Sequence, residues 1–259
     1  MTVAAVATAG VAFAKVESKT TLCQIQVSSS YTNTVIALPL VEVGGTEDTI
    51  NPVDYVLTDG LEIGSYIYTQ VGKEYKGWVL MSDGWEQVPA GEGSPDIVNT
   101  TEVDGDGFVD LGSAVWLCRK GAALSSNPIY IRGQICDSAV TNEAIGAYTM
   151  IGNASTNAVK LTELNWVVPP AVGDKVMFID DSAYGVSKEF TCSSSSPVTW
   201  TYEVTGTKTV KIRGVEKTIT TFTDKTLVPN SENDLVVKPG EGFYFYRGST
   251  EGTAPKIEW

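Results

Sequence analysis

The sequence contains no histidine. That absence removes the side chain most used for acid–base chemistry near neutral pH, and the commonest metal ligand with it. Ser-His-Asp, Cys-His and histidine–zinc mechanisms are thereby excluded. Cysteine is scarce too. Cys23, Cys118, Cys136 and Cys192 are never spaced Cys-x-x-Cys, so neither a zinc knuckle nor a thioredoxin-type site is indicated. Their spacing does not choose among the disulfide pairings open to an exported chain. Basic residues are few, 18 Lys and Arg against 31 Asp and Glu, for a net charge of -13. Such a surface repels phosphate backbones and anionic headgroups, which argues against nucleic-acid and membrane-surface partners. No apolar run is long enough to predict a membrane span. No window sustains a 3.6-residue apolar stripe with caps, so helix should be scarce, with a single turn expected near 51–57.

What is present begins with MTVAAVATAGVAFA at 1–14, an uncharged segment ending in Ala12-Phe13-Ala14 before Lys15. This matches the apolar core and small-x-small cleavage site of a secretory signal, although the usual basic leader is missing. The expected localisation is therefore secreted or cell-surface. Retained, the same Val- and Ala-rich arm would suit pairing with a neighbouring subunit's sheet edge.

Alternating or β-branched segments then follow one another at 22–27, 34–43, 65–71, 77–81, 114–119 and 129–135, separated by Gly-Gly, Asp-Gly and Asn-Pro turns. Similar segments occupy 147–151, 175–179, 198–204, 207–223, 235–237 and 243–247. The two series align. LEIGSYIYTQVGKEY at 61–75 lies over PAVGDKVMFIDDSAY at 170–184, placing Gly64 on Gly173 and Tyr75 on Tyr184, an offset of 109. LGSAVWLCR, ending at Arg119, parallels PGEGFYFYR, ending at Arg247, an offset of 128. Each is a Gly turn feeding an aromatic strand closed by Arg. Trp85 and Trp200 fall at comparable places between the two signatures.

The growing offset requires an insertion in the second series. Its expected site is a hairpin at 205–221 turning near Gly214, locally basic within an acidic chain. Lys on an exposed edge keeps such a hairpin soluble and explains the charge without a ligand. The doubled pattern resembles secreted bacterial tandem-β proteins, in which a duplicated β unit follows a signal peptide. The resemblance covers most of the chain after residue 30. It implies export and a β architecture; it implies no activity and carries over no functional residue.

Three features invite a chemical role. Glu102-Val103-Asp104-Gly105-Asp106-Gly107-Phe108-Val109-Asp110 offers oxygens at alternate positions, so Asp104, Asp106 and Asp110 are candidate metal ligands. The twelfth position is Ser113 where a calcium loop needs Glu, and an Asp-Gly hairpin turn explains the residues more simply. Acidic neighbours such as Asp180 and Asp181, or Glu47 and Asp48, are ordinary among 31 acids and give little support to a glycosidase pair. Aromatic residues are the third resource. Tyr66, Tyr68, Trp78, Trp85, Trp200, Tyr244 and Tyr246 would form a glycan-stacking surface if their faces were exposed, and simply core if they were not.

The expected fold is thus all-β: two consecutive related β-sandwich or β-barrel-like domains with little helix, at 15–137 and 147–259, joined by 138–146. The expected function is a non-catalytic structural or assembly protein needing no cofactor. Its expected partners are its own copies or other extracellular proteins. A glycan-binding module or adhesin using exposed aromatics is the alternative.

Overall fold

The computed structural model describes residues 22–27, 33–41, 49–50, 61–71, 74–89, 109–110, 114–120, 129–135, 139–180, 185–212 and 215–259. Their structure is almost entirely antiparallel β. The strands before residue 138 are β1 (Leu22–Val27), β2 (Asn33–Ala37), β3 (Leu40–Val41), β4 (Thr49–Ile50), β5 (Tyr66–Val71), β6 (Glu74–Met81), β7 (Gly84–Gln87), β8 (Val109–Asp110), β9 (Ala114–Cys118) and β10 (Ile129–Ile135). After it come β11 (Thr141–Glu143), β12 (Tyr148–Gly152), β13 (Val159–Lys160), β14 (Asn165–Val168), β15 (Lys175–Asp180), β16 (Gly185–Ser195), β17 (Val198–Ile212), β18 (Val215–Thr226), β19 (Val236–Val237), β20 (Gly242–Tyr246) and β21 (Lys256–Glu258). One 3-10 turn, Leu161–Glu163, is the only helical element among the described residues. No helix among them is long and apolar enough to cross a membrane. The single turn expected near 51–57 lies outside the described residues, as does the 1–14 segment.

Two large sheets carry the structure. One has the strand order β2-β9-β5-β6-β7, the other β12-β20-β15-β16-β17-β18. Their registers correspond across the central strands. Tyr66, Ile67 and Tyr68 of β5 face Cys118, Leu117 and Trp116 of β9; Lys175, Val176 and Met177 of β15 face Tyr246, Phe245 and Tyr244 of β20. Those pairs differ by the offsets 109 and 128 that the Gly and Arg landmarks show in the sequence. Leu80 opposite Trp85 is likewise matched by Cys192 opposite Trp200. The two smallest sheets repeat the relation, with Ile50 facing Val109 and Val159 facing Val237. Among the described residues, β18 is the strand with no counterpart in the five-stranded sheet.

The turn before each central strand shows why glycine stands there. Gly64 and Gly173 adopt φ of +88° and +94°, the left-handed region that a Cβ disfavours. Their amides donate to Leu80 O at 2.7 Å and Cys192 O at 2.9 Å.

Alternation along β9 and β20 sorts the cores. Val115 and Leu117 enter one cluster with Ile36, Leu38 and Ile67, whereas Phe243 and Phe245 enter a second with Phe190, Trp200 and Ile257. The opposite faces meet each other. Val35 and Ala114 pack with Met150, Met177 and Tyr244, and Trp116, Tyr75 and Tyr246 close around them. A Cβ on Gly242 would lie 2.8 Å from Ala114 Cβ and 2.9 Å from Val35 Cγ1, so the approach requires glycine. Ala37 N donates to Gly240 O at 3.0 Å across the same seam, and Trp259 packs against both clusters. The two sheets therefore share buried contacts. Within 138–146, expected as a joining segment, Thr141–Glu143 forms β11 and pairs with β21.

Candidate functional site

Consecutive ladders of the six-stranded sheet set six residues in one line across it. Tyr148 faces Tyr246, Tyr246 faces Lys175, Lys175 faces Thr191, Thr191 faces Thr201, and Thr201 faces Thr226. Because directly opposed residues share a face, the line lies on one side of the sheet. Glu189, Glu203 and Asp224 lie two residues further along their strands, on the same side. Together Lys175, Thr191, Thr201, Glu189, Glu203 and Asp224 line a groove of about 500 Å³. Lys175 Nζ meets Glu189 Oε1 at 2.7 Å. Glu203 stands directly opposite Asp224.

In the five-stranded sheet the corresponding place is closed. Tyr68 faces Gly77 there as Met177 faces Glu189, and a Cβ on Gly77 would come within 2.6 Å of the Tyr68 ring. An aromatic ring over glycine fills in one sheet what carboxylates leave open in the other.

Beyond this groove the six-stranded sheet continues as a ribbon. The β17–β18 ladder runs unbroken from Thr201 opposite Thr226 to Ile212 opposite Val215, so the hairpin is longer than the 205–221 expected from sequence. From Lys208 outward its described side chains are exposed, and Phe222 is 64% accessible. Arg213 and Gly214, at its expected turn, lie outside the described residues.

The aromatic candidates divide. Tyr68, Trp78, Trp200 and Tyr244 are buried; Tyr66, Trp85 and Tyr246 are half-buried. Tyr66 stacks on Tyr68 with ring centroids 5.8 Å apart, and Tyr244 packs edge-on to Trp116. Burial pushes the Tyr244 phenol up from its usual 10.0, and the neighbouring Tyr75 pushes it further. Tyr148 carries no signal in the sequence that marks it as exposed. It is 48% accessible and touches Tyr246 at 4.9 Å between ring centroids, beside the groove.

Asp104 and Asp106 fall outside the described residues; Asp110 sits in β8 with its backbone opposite Thr49. No group of three or more His, Cys, Asp or Glu is arranged to hold a metal among the described residues. Asp181, Glu47, Asp48 and Cys136 also lie outside them, and Cys23 is placed by its backbone alone, opposite Gly133. Cys118 lies against Tyr68. The Cys192 thiol is buried, which raises its pKa above the usual 9.0 and disfavours the nucleophilic thiolate.

The buried polar side chains tie backbone to backbone. Arg247 donates through Nη1 to the carbonyls of Ala144 and Ile145, and through Nη2 to those of Glu251 and Gly252, at 3.2–3.5 Å. Arg119 occupies the matching end of β9; burial lowers its pKa while Glu62 opposes that shift. Asn153 bridges Val237 O and Asn157 O, both at 2.8 Å, and Asp234 accepts from Thr162 Oγ1 and the Asn230 amide. Arg247, Asn153 and Asp234 thus serve the framework. The groove and the ribbon are what the framework holds out to solvent. No protein family, no curated protein and no solved structure matches this chain.

Proposed function

We propose that this chain is a non-catalytic secreted or cell-surface structural protein, built from two consecutive copies of one β unit, which assembles through its β17–β18 ribbon. The observation carrying this reading is β18. Among the described residues it is the strand without a counterpart in the otherwise corresponding sheet, it stands at the end of its own sheet, and its side chains are exposed along nearly its whole length. A long open edge is a template for pairing with other chains, and proteins that stay monomeric usually shorten or cover it. The matched registers support duplication, and the signal-like 1–14 segment supports export. Sedimentation velocity over a wide concentration range tests the reading. Association is expected for the full chain and its loss on shortening the ribbon at the Thr205–Phe222 pair with an Asn-Gly turn. A full chain that stays monomeric throughout overturns it.

A second reading, glycan binding, is favoured by one specific contact: the exposed Tyr148 ring against Tyr246 beside the polar groove. Sugar rings stack through their C–H faces on such aromatics while carboxylates accept their hydroxyls. A glycan array with the intact protein and with Tyr148→Ala separates the readings. Binding lost in the variant supports this one, and no binding by the intact protein removes it.

A further inference from the structure

The ribbon carries opposite charge on its two faces. Its register places odd-numbered residues of β17 on one face with even-numbered residues of β18. That face bears Glu203 opposite Asp224 and Lys211 opposite Glu216, three carboxylates and one ammonium. It continues the side of the sheet that holds the groove. The other face bears Lys208, Lys217 and Lys225 and, among the described side chains, no carboxylate. All seven charged side chains are exposed. Each face also presents an apolar residue, Phe222 (64% accessible) on the acidic side and Ile219 (40%) on the basic side.

The Glu203–Asp224 pair does not help the fold. Like charges directly opposed on neighbouring strands are destabilising. Neither carboxylate forms an ion pair among the described residues, and the nearby Lys175 is engaged by Glu189. The acidic face thus has an unmet charge and an uncovered ring, and the chain's own ribbon has the matching set on its reverse.

We infer that the ribbon of one copy seats its basic face on the acidic face of a second copy's ribbon, Lys208 and Lys217 reaching Glu203 and Asp224 and Ile219 packing against Phe222. This rests on the assembly reading above and specifies its contact. Because the two faces differ, the contact is head-to-tail. Each added copy leaves one acidic and one basic face open, so the product is a growing stack or a large ring and not a closed dimer. The opposed charges and the apolar burial of Ile219 on Phe222 together supply the attraction, and charge also selects face and register.

The test uses two full-length double variants, Glu203→Lys with Asp224→Lys, and Lys208→Glu with Lys217→Glu. In sedimentation velocity each alone should associate at least roughly tenfold more weakly than the unaltered chain, a difference of about 1.4 kcal/mol. An equimolar mixture of the two should regain association, because acidic and basic faces are again available to each other. The substituted side chains are exposed, and far-UV circular dichroism checks that each variant folds. If one does not, salt dependence of the unaltered chain reads the same contact. Association that persists unchanged at about 1 M salt, where charges are screened within ~3 Å, overturns it. Double variants that associate as strongly as the unaltered chain, or a mixture that regains nothing, overturn the proposed contact while leaving assembly standing. An unaltered chain that is monomeric at every concentration overturns both.

Discussion

Asp174 accepts the backbone amide of Gly248 through Oδ1 at 2.9 Å. In the other sheet Ser65 accepts the amide of Lys120 through Oγ at 3.0 Å. The donors follow Arg247 and Arg119, and the acceptors follow Gly173 and Gly64. The same latch, made by different side chains, joins the turn before each central strand to the residue after each aromatic strand.

The latch is a stability element. Asp174 is buried and also accepts the Ala171 amide at 2.8 Å. Asp174→Ala leaves two amides unpaired and should cost about 1–3 kcal/mol in denaturant unfolding. Asp174→Ser, copying the other sheet, should recover part of that loss. An Asp174→Ala chain as stable as the unaltered one would show that the bonds contribute nothing.

Gly242 sets how closely the sheets approach. The added methyl of Gly242→Ala meets Ala114 Cβ, Val35 Cγ1 and Ile151 O at 2.8–3.0 Å. Overpacking there should destabilise by about 1–3 kcal/mol. Combining it with Val35→Ala should recover some of the loss, measured as a coupling between the two changes. Additive effects would place the strain elsewhere.

Alkaline pH should weaken the same seam. The folded-state pKa of Tyr244 is raised above its ordinary 10.0, so the unfolded chain releases this proton first. Its stabilising contribution is therefore complete below about pH 10 and declines as the pH rises beyond that. Tyr244→Phe should flatten the loss between about pH 10 and 12 in thermal melts. An unchanged slope would assign it to other groups.

Arg247 fastens two loops with one planar fork. Arg247→Lys retains the charge but not the geometry, and is expected to cost about 1–3 kcal/mol. Limited proteolysis should show faster cleavage within 248–253. Protection equal to that of the unaltered chain would mean that the loop is held by other contacts.

Much of the framework was legible in the sequence because it depends on local rules. Left-handed turns call for glycine, as at Gly64 and Gly173, and buried strands call for dense apolar runs, as at 114–118 and 242–246. Those landmarks set the offsets of 109 and 128, which reappear as strand registers. The 205–221 hairpin was visible for the same reason, although its ladder extends to Thr201 and Thr226.

The groove and the ribbon's charged faces were not legible. Glu203 and Asp224 are 21 residues apart, and nothing local states that they stand opposite one another. Alternation tells that Tyr244 and Tyr246 share a face but not what covers it. The tertiary structure buries Tyr244 against Trp116 and leaves Tyr246 half-buried beside an exposed Tyr148. The sequence by itself determined an all-β chain, its turns and its recurring landmarks, because these follow from each residue's own conformational and burial preferences. Only the tertiary structure decided which aromatic faces are sealed and which carboxylates meet, because those outcomes depend on lateral strand order and on what packs above each sheet.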